Sequence, residues 1–173
     1  MSKYIHPATT EAALSVASNL LPDDYREVVE GHGHDPLNAL VVGVQNSDSV
    51  YFTNPDDEIC GIAGVYPNGA IWMLCTSCIL TFPHTFAREA KRFVNSRNEK
   101  LLWNIVDERN DVHLKLLRFL GFKFLRRLKH GPNNLSFIEF ARVQSSSDRT
   151  SSVRNRRSPT SCLLYTSPSP RDS

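Results

Sequence analysis

No apolar run in the chain approaches the ~18–20 residues that a membrane span needs, and its opening MSKYIHPATTEAALS lacks the apolar core of a secretory signal. Only four of 173 residues are cysteine (Cys60, Cys75, Cys78 and Cys162). Without a signal they are expected as reduced thiols rather than a disulfide framework. These absences exclude a membrane protein, a collagen-like chain and a secreted disulfide miniprotein, and leave a cytosolic-type, non-secreted domain. Basic residues are almost missing from the first half. Residues 1–84 carry two basic and ten acidic groups, a sum of −8, whereas residues 85–173 carry 18 basic and eight acidic groups, a sum of +10. Such asymmetry points either to internal complementarity or to a basic surface for an anion such as phosphate. What is present, 40% apolar and 22% charged residues, is the balance of one globular domain with a real core.

Thr9 or Thr10 caps a predicted helix through Ala12, Ala13, Val16, Ala17 and Leu20. Pro22 ends it and opens a second, short helix over Asp23–Glu30. Gly31-His32-Gly33-His34 reads as a breaker. Leu37–Gln45 is ambiguous between helix and strand, and its Asp35-Pro36 start favours helix. Strands are expected over Ser49–Thr53, Ile59–Tyr66 and Ala70–Leu74, an antiparallel meander with tight turns. Phe82–Val94 reads as an amphipathic helix with Phe86, Ala90, Phe93 and Val94 inward. Leu101–Val106 follows as a buried strand. Asn110–Leu120 is a helix with Leu114, Leu117 and Leu120 inward, closed by Gly121, and Phe122–Leu128 and Leu135–Ala141 form a hairpin. The order is helix, helix, three strands, helix, strand, helix and two strands, an α/β (α+β) layer of helices over a mostly central sheet.

The folded domain is assigned to residues 1–142. Residues 143–161 read as a disordered tail: from Gln144 to Ser161 it is rich in Ser, Thr and Arg, with Val153 as the only sizeable apolar residue, and cannot bury enough surface to order. Arg149, Arg154, Arg156 and Arg157 there offer clustered cations to nucleic acid, against a plain solvated tail. From Cys162 to Asp172 the string CLLYTSPSPRD resembles a transposase-type sequencing adapter translated in frame. Residues 162–173 are therefore expected to be a sequencing scar, as at the end of a metagenomic contig, with the natural C-terminus elsewhere.

The element order, and Asn110 at the start of a helix with Gly121-Phe122 eleven and twelve residues on, resemble the GNAT superfamily of N-acetyltransferases. From Ile59 to Ala141 the chain is similar to the internal virion protein family of short-tailed bacteriophages, itself GNAT-like. That likeness rests on Ala70-Ile71-Trp72-Met73-Leu74, on the Phe86–Phe93 helix with Arg88 and Arg92, and on Leu102-Trp103-Asn104 followed by Asn110 to Phe122.

The superfamily resemblance implies acetyl transfer from acetyl-coenzyme A to an amine, with the pyrophosphate on a glycine-rich loop that opens the helix after the third meander strand. The equivalent stretch, Leu74 to Phe82, has no glycine. Leu74, Thr76, Ser77, Thr81 and Arg88 are its candidate cofactor contacts, with Asn104 and Asn110 for the pantetheine arm; Asn110 as a plain helix cap is the alternative. Many active members carry a Tyr acid seven residues after the helix Asn, where this chain has Leu117, which transfers no proton. No catalytic residue is assigned. Glu58 is the nearest guess for a base, against a solvated turn residue.

Other patterns carry less. Cys75-Thr76-Ser77-Cys78 has the CxxC spacing of redox motifs, without a thioredoxin-like strand order or a second pair for zinc. His32 and His34 read as a turn, and His84 and His113 as surface or cap residues. Trp72 and Trp103 read as core, and no metal is expected. Arg118, Lys123, Arg126, Arg127 and Lys129 form the densest ordered basic patch, for coenzyme phosphate, nucleic acid or an acidic partner, or as a solvated strand face.

Two functions follow. The first is a phage internal virion or assembly protein of GNAT shape with degenerate catalysis, acting on other virion proteins in the virion or the host cytoplasm. The alternative is an active acetyl-CoA-dependent N-acetyltransferase, and nucleic-acid binding through the basic half is a third. An open gap between the third and fourth predicted strands would favour the enzyme; a filled groove with an exposed apolar patch would favour assembly.

Overall fold

Polar caps and prolines set where the leading helices begin. A computed structural model describes residues 2–144. Thr9 accepts a hydrogen bond from Ala12 N and starts α1 (Thr10–Ser18), with Ala12, Ala13 and Val16 buried. Pro22 opens α2 (Pro22–Arg26), which widens into a π turn over Glu27–Gly31. The single helix expected over Asp23–Glu30 is therefore two pieces. Asp35 accepts from Asn38 N and caps α3 (Pro36–Asn46), so the ambiguous apolar run is a helix.

A short strand absent from the sequence reading, β1 (Ile5–Pro7), pairs with β2 (Asp48–Thr53). Strands β3 (Ile59–Val65) and β4 (Ile71–Cys75) complete an antiparallel sheet in the order β1-β2-β3-β4. A 3-10 turn (Ser77–Leu80) leads into α4 (Pro83–Asn95), whose Phe86, Ala90, Phe93 and Val94 are buried as expected. Phe86 and Phe93 both meet the Phe52 ring edge-on, at 5.5 and 6.1 Å between centroids. Strand β5 (Leu101–Asp107), helix α5 (Asp111–Phe119) and the hairpin β6 (Lys123–His130) and β7 (Leu135–Val143) follow. Leu117 and Leu120 are buried and Leu114 partly so. Gly121, at φ +89°, ends the helix in the left-handed region.

The expected central sheet is divided. Strands β5, β7 and β6 form a second antiparallel sheet in that order, and it touches the first through one parallel bridge between Ala70 and Trp103. Trp103 N donates to Gly69 O at 3.1 Å beside it. A Cβ on Gly69, which sits at φ +91°, would lie 2.3 Å from Leu101 O, so only glycine lets the sheets meet there. The architecture is a mixed α/β fold with helices on the sheet faces. No helix among the described residues is long and apolar enough to cross a membrane. Ordered backbone runs slightly past residue 142: β7 ends at Val143 and Gln144 N donates to Lys100 O. The Ser/Arg-rich tail beyond it, the adapter-like residues 162–173 and Cys162 lie outside the described residues.

Candidate functional site

Past the Ala70–Trp103 bridge, parallel strands β4 and β5 diverge around a cavity of about 330 Å³. Ile71 to Leu74 of β4 and Asn104 to Val106 of β5 form two of its walls. Ala39, Val42 and Gly43 of α3 and Leu116 and Leu117 of α5 form the others. Most of this lining is hydrocarbon, and it includes no Lys or Arg.

The alternation of the β3–β4 ladder turns the backbone groups of Ile71, Met73 and Cys75 away from β3, toward the gap. Both ends of that edge are taken. Asn104 Nδ2 donates to Ile71 O at 2.7 Å, tying β5 to β4. Cys75 O accepts from Leu21 N at 3.0 Å, and Cys75 N donates to Asp24 Oδ2 at 2.7 Å. Among the described residues Met73 alone keeps an unbonded N–H and C=O along that edge.

One end of the cavity is polar. Glu27, His32 and His34 line it. Glu27 Oε1 accepts from Asn110 Nδ2 at 3.1 Å and from Asp107 N at 3.2 Å, while its Oε2 lies 3.8 Å from His32 Nε2. The other nitrogen of His32, Nδ1, is 2.9 Å from His130 Nε2, so one proton is shared between the imidazoles. Burial, then the neighbouring His32 and His34, hold His130 below the ordinary histidine pKa and keep it neutral. The π turn carries Glu27, and the hairpin carrying His130 closes on it at two glycines. A Cβ on Gly131 would fall 1.8 Å from Gly31 O. Arg109 clamps the outside, bonding Asp107 through two nitrogens and Glu30 through a third. Burial alone would raise the Asp107 pKa, but the Arg109 guanidinium outweighs it and holds the carboxyl below its ordinary range.

A buried polar knot continues inward from this wall, with His113 itself on the lining. His113 Nε2 sits 3.1 Å from Asp24 Oδ1, out of line for a hydrogen bond but close enough for an ion pair. Burial opposes charging His113; the Asp24 carboxylate, helped by Cys75, overcomes it and lifts the imidazole well above its ordinary pKa. The Cys75 thiol is pushed up by burial, and Cys60 is raised to about 12 by burial and the neighbouring thiols. Asp24, Cys75 and His113 hold donor atoms within 4.8 Å of one another, close enough for a metal ion. Both Asp24 oxygens already accept hydrogen bonds, from Cys75 N and Asn110 Nδ2. The His113–Asp24 pair accounts for the rest without a metal.

The structure separates the residues singled out in sequence. Leu74 and Asn104 line the cavity, as does Leu117. Asn110 is buried behind it, capping α5 by accepting from His113 N. Thr76, Ser77, Thr81 and Arg88 are not in the lining. Thr76 is buried, donating to Ile59 O and accepting from Cys78 N; Ser77, Thr81 and Arg88 are exposed. Within the loop, the Cys78, Ile79 and Thr81 N–H groups bond inside the turn. Glu58 is exposed and bonds Asn54 in the β2–β3 turn. Cys60, Cys75 and Cys78 are free thiols, and Cys75 ends a strand rather than opening a helix, where its thiolate would be favoured.

Four expectations change. His113 is buried rather than a surface or cap residue. His32 is a cavity wall rather than a simple turn. Neither Trp is core: both are half-buried, Trp72 on the cavity wall donating to Ser47 Oγ and Trp103 donating to Asn68 O. The basic patch is partly neutralised, Arg126 by Glu139 and Arg127 by Glu108. Sequence reasoning missed Asp24, Glu27, His130 and Asp107. The available signal was a doubled His-Gly, at His32-Gly33 and His130-Gly131.

No protein-family model and no curated protein sequence matches the chain. Solved structures do. An acetyltransferase of the GNAT family from Bacillus anthracis is similar at TM-score 0.59 and 9% identity over 80% of this chain and 93% of that one. A GNAT superfamily phosphinothricin acetyltransferase from Sinorhizobium meliloti, in complex with AcCoA, is similar at TM-score 0.59 and 13% identity, covering 84% and 90%. The ribosomal-protein-S5-alanine acetyltransferase from Vibrio fischeri is similar at TM-score 0.58 and 14% identity, covering 84% and 96%. The fold is that of the GNAT acetyltransferases.

Proposed function

We propose that the chain is an N-acyltransferase of GNAT type, taking an acyl group from a coenzyme A thioester, acetyl-CoA in the first instance, and passing it to an amine. The observation that carries this reading is the open gap between β4 and β5, with a free backbone edge at Met73 and a carboxylate–imidazole pair at one end. The gap fits a pantetheine arm, whose amide pairs with a strand edge. The loop after β4 fits the phosphates less well, leaving the Ser77 and Thr81 hydroxyls and Arg88 to meet them.

A thioester bound in the gap supplies an activated acyl group. Glu27 and His32 receive the amine, which attacks as the free base after its ammonium form has released one proton to solvent. With the shared proton on His32 Nδ1, donated to neutral His130, Nε2 presents a lone pair that takes the amine proton as the N–C bond forms and the C–S bond breaks. Leu117 supplies no acid, but a thiol with an ordinary pKa of about 8.5 leaves as thiolate near neutral pH and takes its proton from solvent.

Thermal unfolding with and without millimolar acetyl-CoA tests the reading, because a ligand of the folded state raises the midpoint by mass action. A clear rise, followed by thiol release with amine acceptors, is expected. No shift would sink it. A GNAT-shaped protein without catalysis would then take its place, favoured by the Leu21 and Asp24 contacts that cover the Cys75 edge.

A further inference from the structure

We propose that the cavity binds a primary amine carried on an apolar body, its ammonium lodged between Glu27 and His32. As an identification of the acceptor this rests on the acyl-transfer reading; as a binding site it rests on the cavity alone.

Charge selects the head group. Glu27 is largely withdrawn from solvent and stands on the cavity wall, whose lining has no Lys or Arg to balance it, while the lining His113 is already paired with Asp24. A carboxylate or phosphate entering here meets the like charge of Glu27 in a poorly screened space, where the His113 imidazole is already committed to Asp24. A cation meets the reverse. Glu27 Oε1 is held by Asn110 and Asp107 N, which leaves Oε2 facing His32 Nε2 across 3.8 Å. That separation is too long for a direct bond, yet one ammonium between the two atoms donates to both, and charge-assisted bonds of this kind are the strong ones. Val42 and His34, both exposed, mark the way in.

Volume and lining select the body. Leu117, Leu120, Phe122 and Phe140 close the inner end with no hydrogen-bonding group. An apolar cavity of roughly 150 Å³ accommodates a benzene ring. This one, at about 330 Å³ with no thioester in the gap, has room for a ring and a short alkyl arm. A small polar amine would leave its inner end dry and unfilled, losing the dispersion contacts that a hydrocarbon recovers.

The test is calorimetric titration of the whole chain with three probes of matched shape: phenethylammonium, 2-phenylethanol and 3-phenylpropionate. The ammonium is expected to bind at least tenfold more tightly than the alcohol, and the carboxylate not to bind. Glu27→Gln should erase the preference for ammonium over alcohol. Should that buried change unfold the protein, the exposed Val42→Arg at the rim should weaken ammonium binding at least tenfold. Equal binding of the alcohol or carboxylate, or no binding of any probe at millimolar concentration, overturns the proposal. Ammonium selectivity without any acetyl-CoA effect would overturn the acyl-transfer reading and leave this site standing. Acetyl-CoA binding without ammonium selectivity would do the opposite.

Discussion

The side-chain amide of Asn110 bridges two acids, donating to Asp24 Oδ1 at 2.9 Å and to Glu27 Oε1 at 3.1 Å. Its oxygen meanwhile accepts from His113 N and caps α5. One side chain thus fixes the cavity acid, the buried ion pair and a helix start. Asn110→Ala removes the cap and leaves buried carboxylate oxygens short of donors, at a cost of about 2–4 kcal/mol. Urea denaturation measures it, and a loss under ~0.5 kcal/mol would show that the bridge is dispensable.

Stability should decline on the alkaline side because of His113. Its folded pKa stands above the ordinary 6.5, so its pairing with Asp24 contributes fully below pH 6.5 and is lost as pH rises through the folded value. Asp107 has the opposite sign. Its pKa is depressed below 3.8, so its contribution is present above that pH and disappears as pH falls through the folded value. Unfolding free energy followed from pH 3 to 10 in native protein and His113→Gln separates the two. The variant should lose the alkaline slope and keep the acid one; an unchanged alkaline slope would exclude His113 as its source.

Gly131→Ala should be among the costlier single changes. The residue sits at φ +80°, and its Cβ would fall against a backbone carbonyl rather than a flexible side chain. A loss of about 2 kcal/mol or more follows from the strain and the displaced hairpin. Because the hairpin carries His130, histidine NMR spectra should show the His32–His130 contact disturbed. Native stability together with native histidine shifts would mean that the hairpin relaxes freely.

Asn104→Leu removes the side-chain tie between β5 and the Ile71 carbonyl. The orphaned carbonyl costs about 1–3 kcal/mol. The strand gap also loses its spacing, so acetyl-CoA affinity should fall about tenfold in a titration where the native chain binds. Unaltered affinity would place the thioester elsewhere.

Elements were legible where the cause was local. Thr9, Pro22, Asp35-Pro36 and Gly121 each mark a helix boundary through their own backbone chemistry, and the inward face of α4 follows from spacing. Strand β1 was not legible, since three residues ending in proline form a strand only because β2 offers an edge. The site was harder still. Asp24 and Asn110 are 86 residues apart and His32 and His130 are 98 apart, so no window of sequence contains either pair. The glycine-free loop after β4 was legible as an absence, and its 3-10 turn ties the Cys78, Ile79 and Thr81 amides into itself.

The single bridge between the two sheets also bears on how the chain is assembled. The first sheet is complete before α4 begins, and the second is built wholly from residues after it. The two stretches carry net charges of opposite sign. Arg109 reaches Glu30 and His113 reaches Asp24 across that division. A chain cut at the exposed Asn98 would yield two pieces with self-contained strand ladders and mutual attraction. Their reunion would weaken with added salt and would rebuild the cavity only on docking, which makes this fold a natural split reporter for its own ligand.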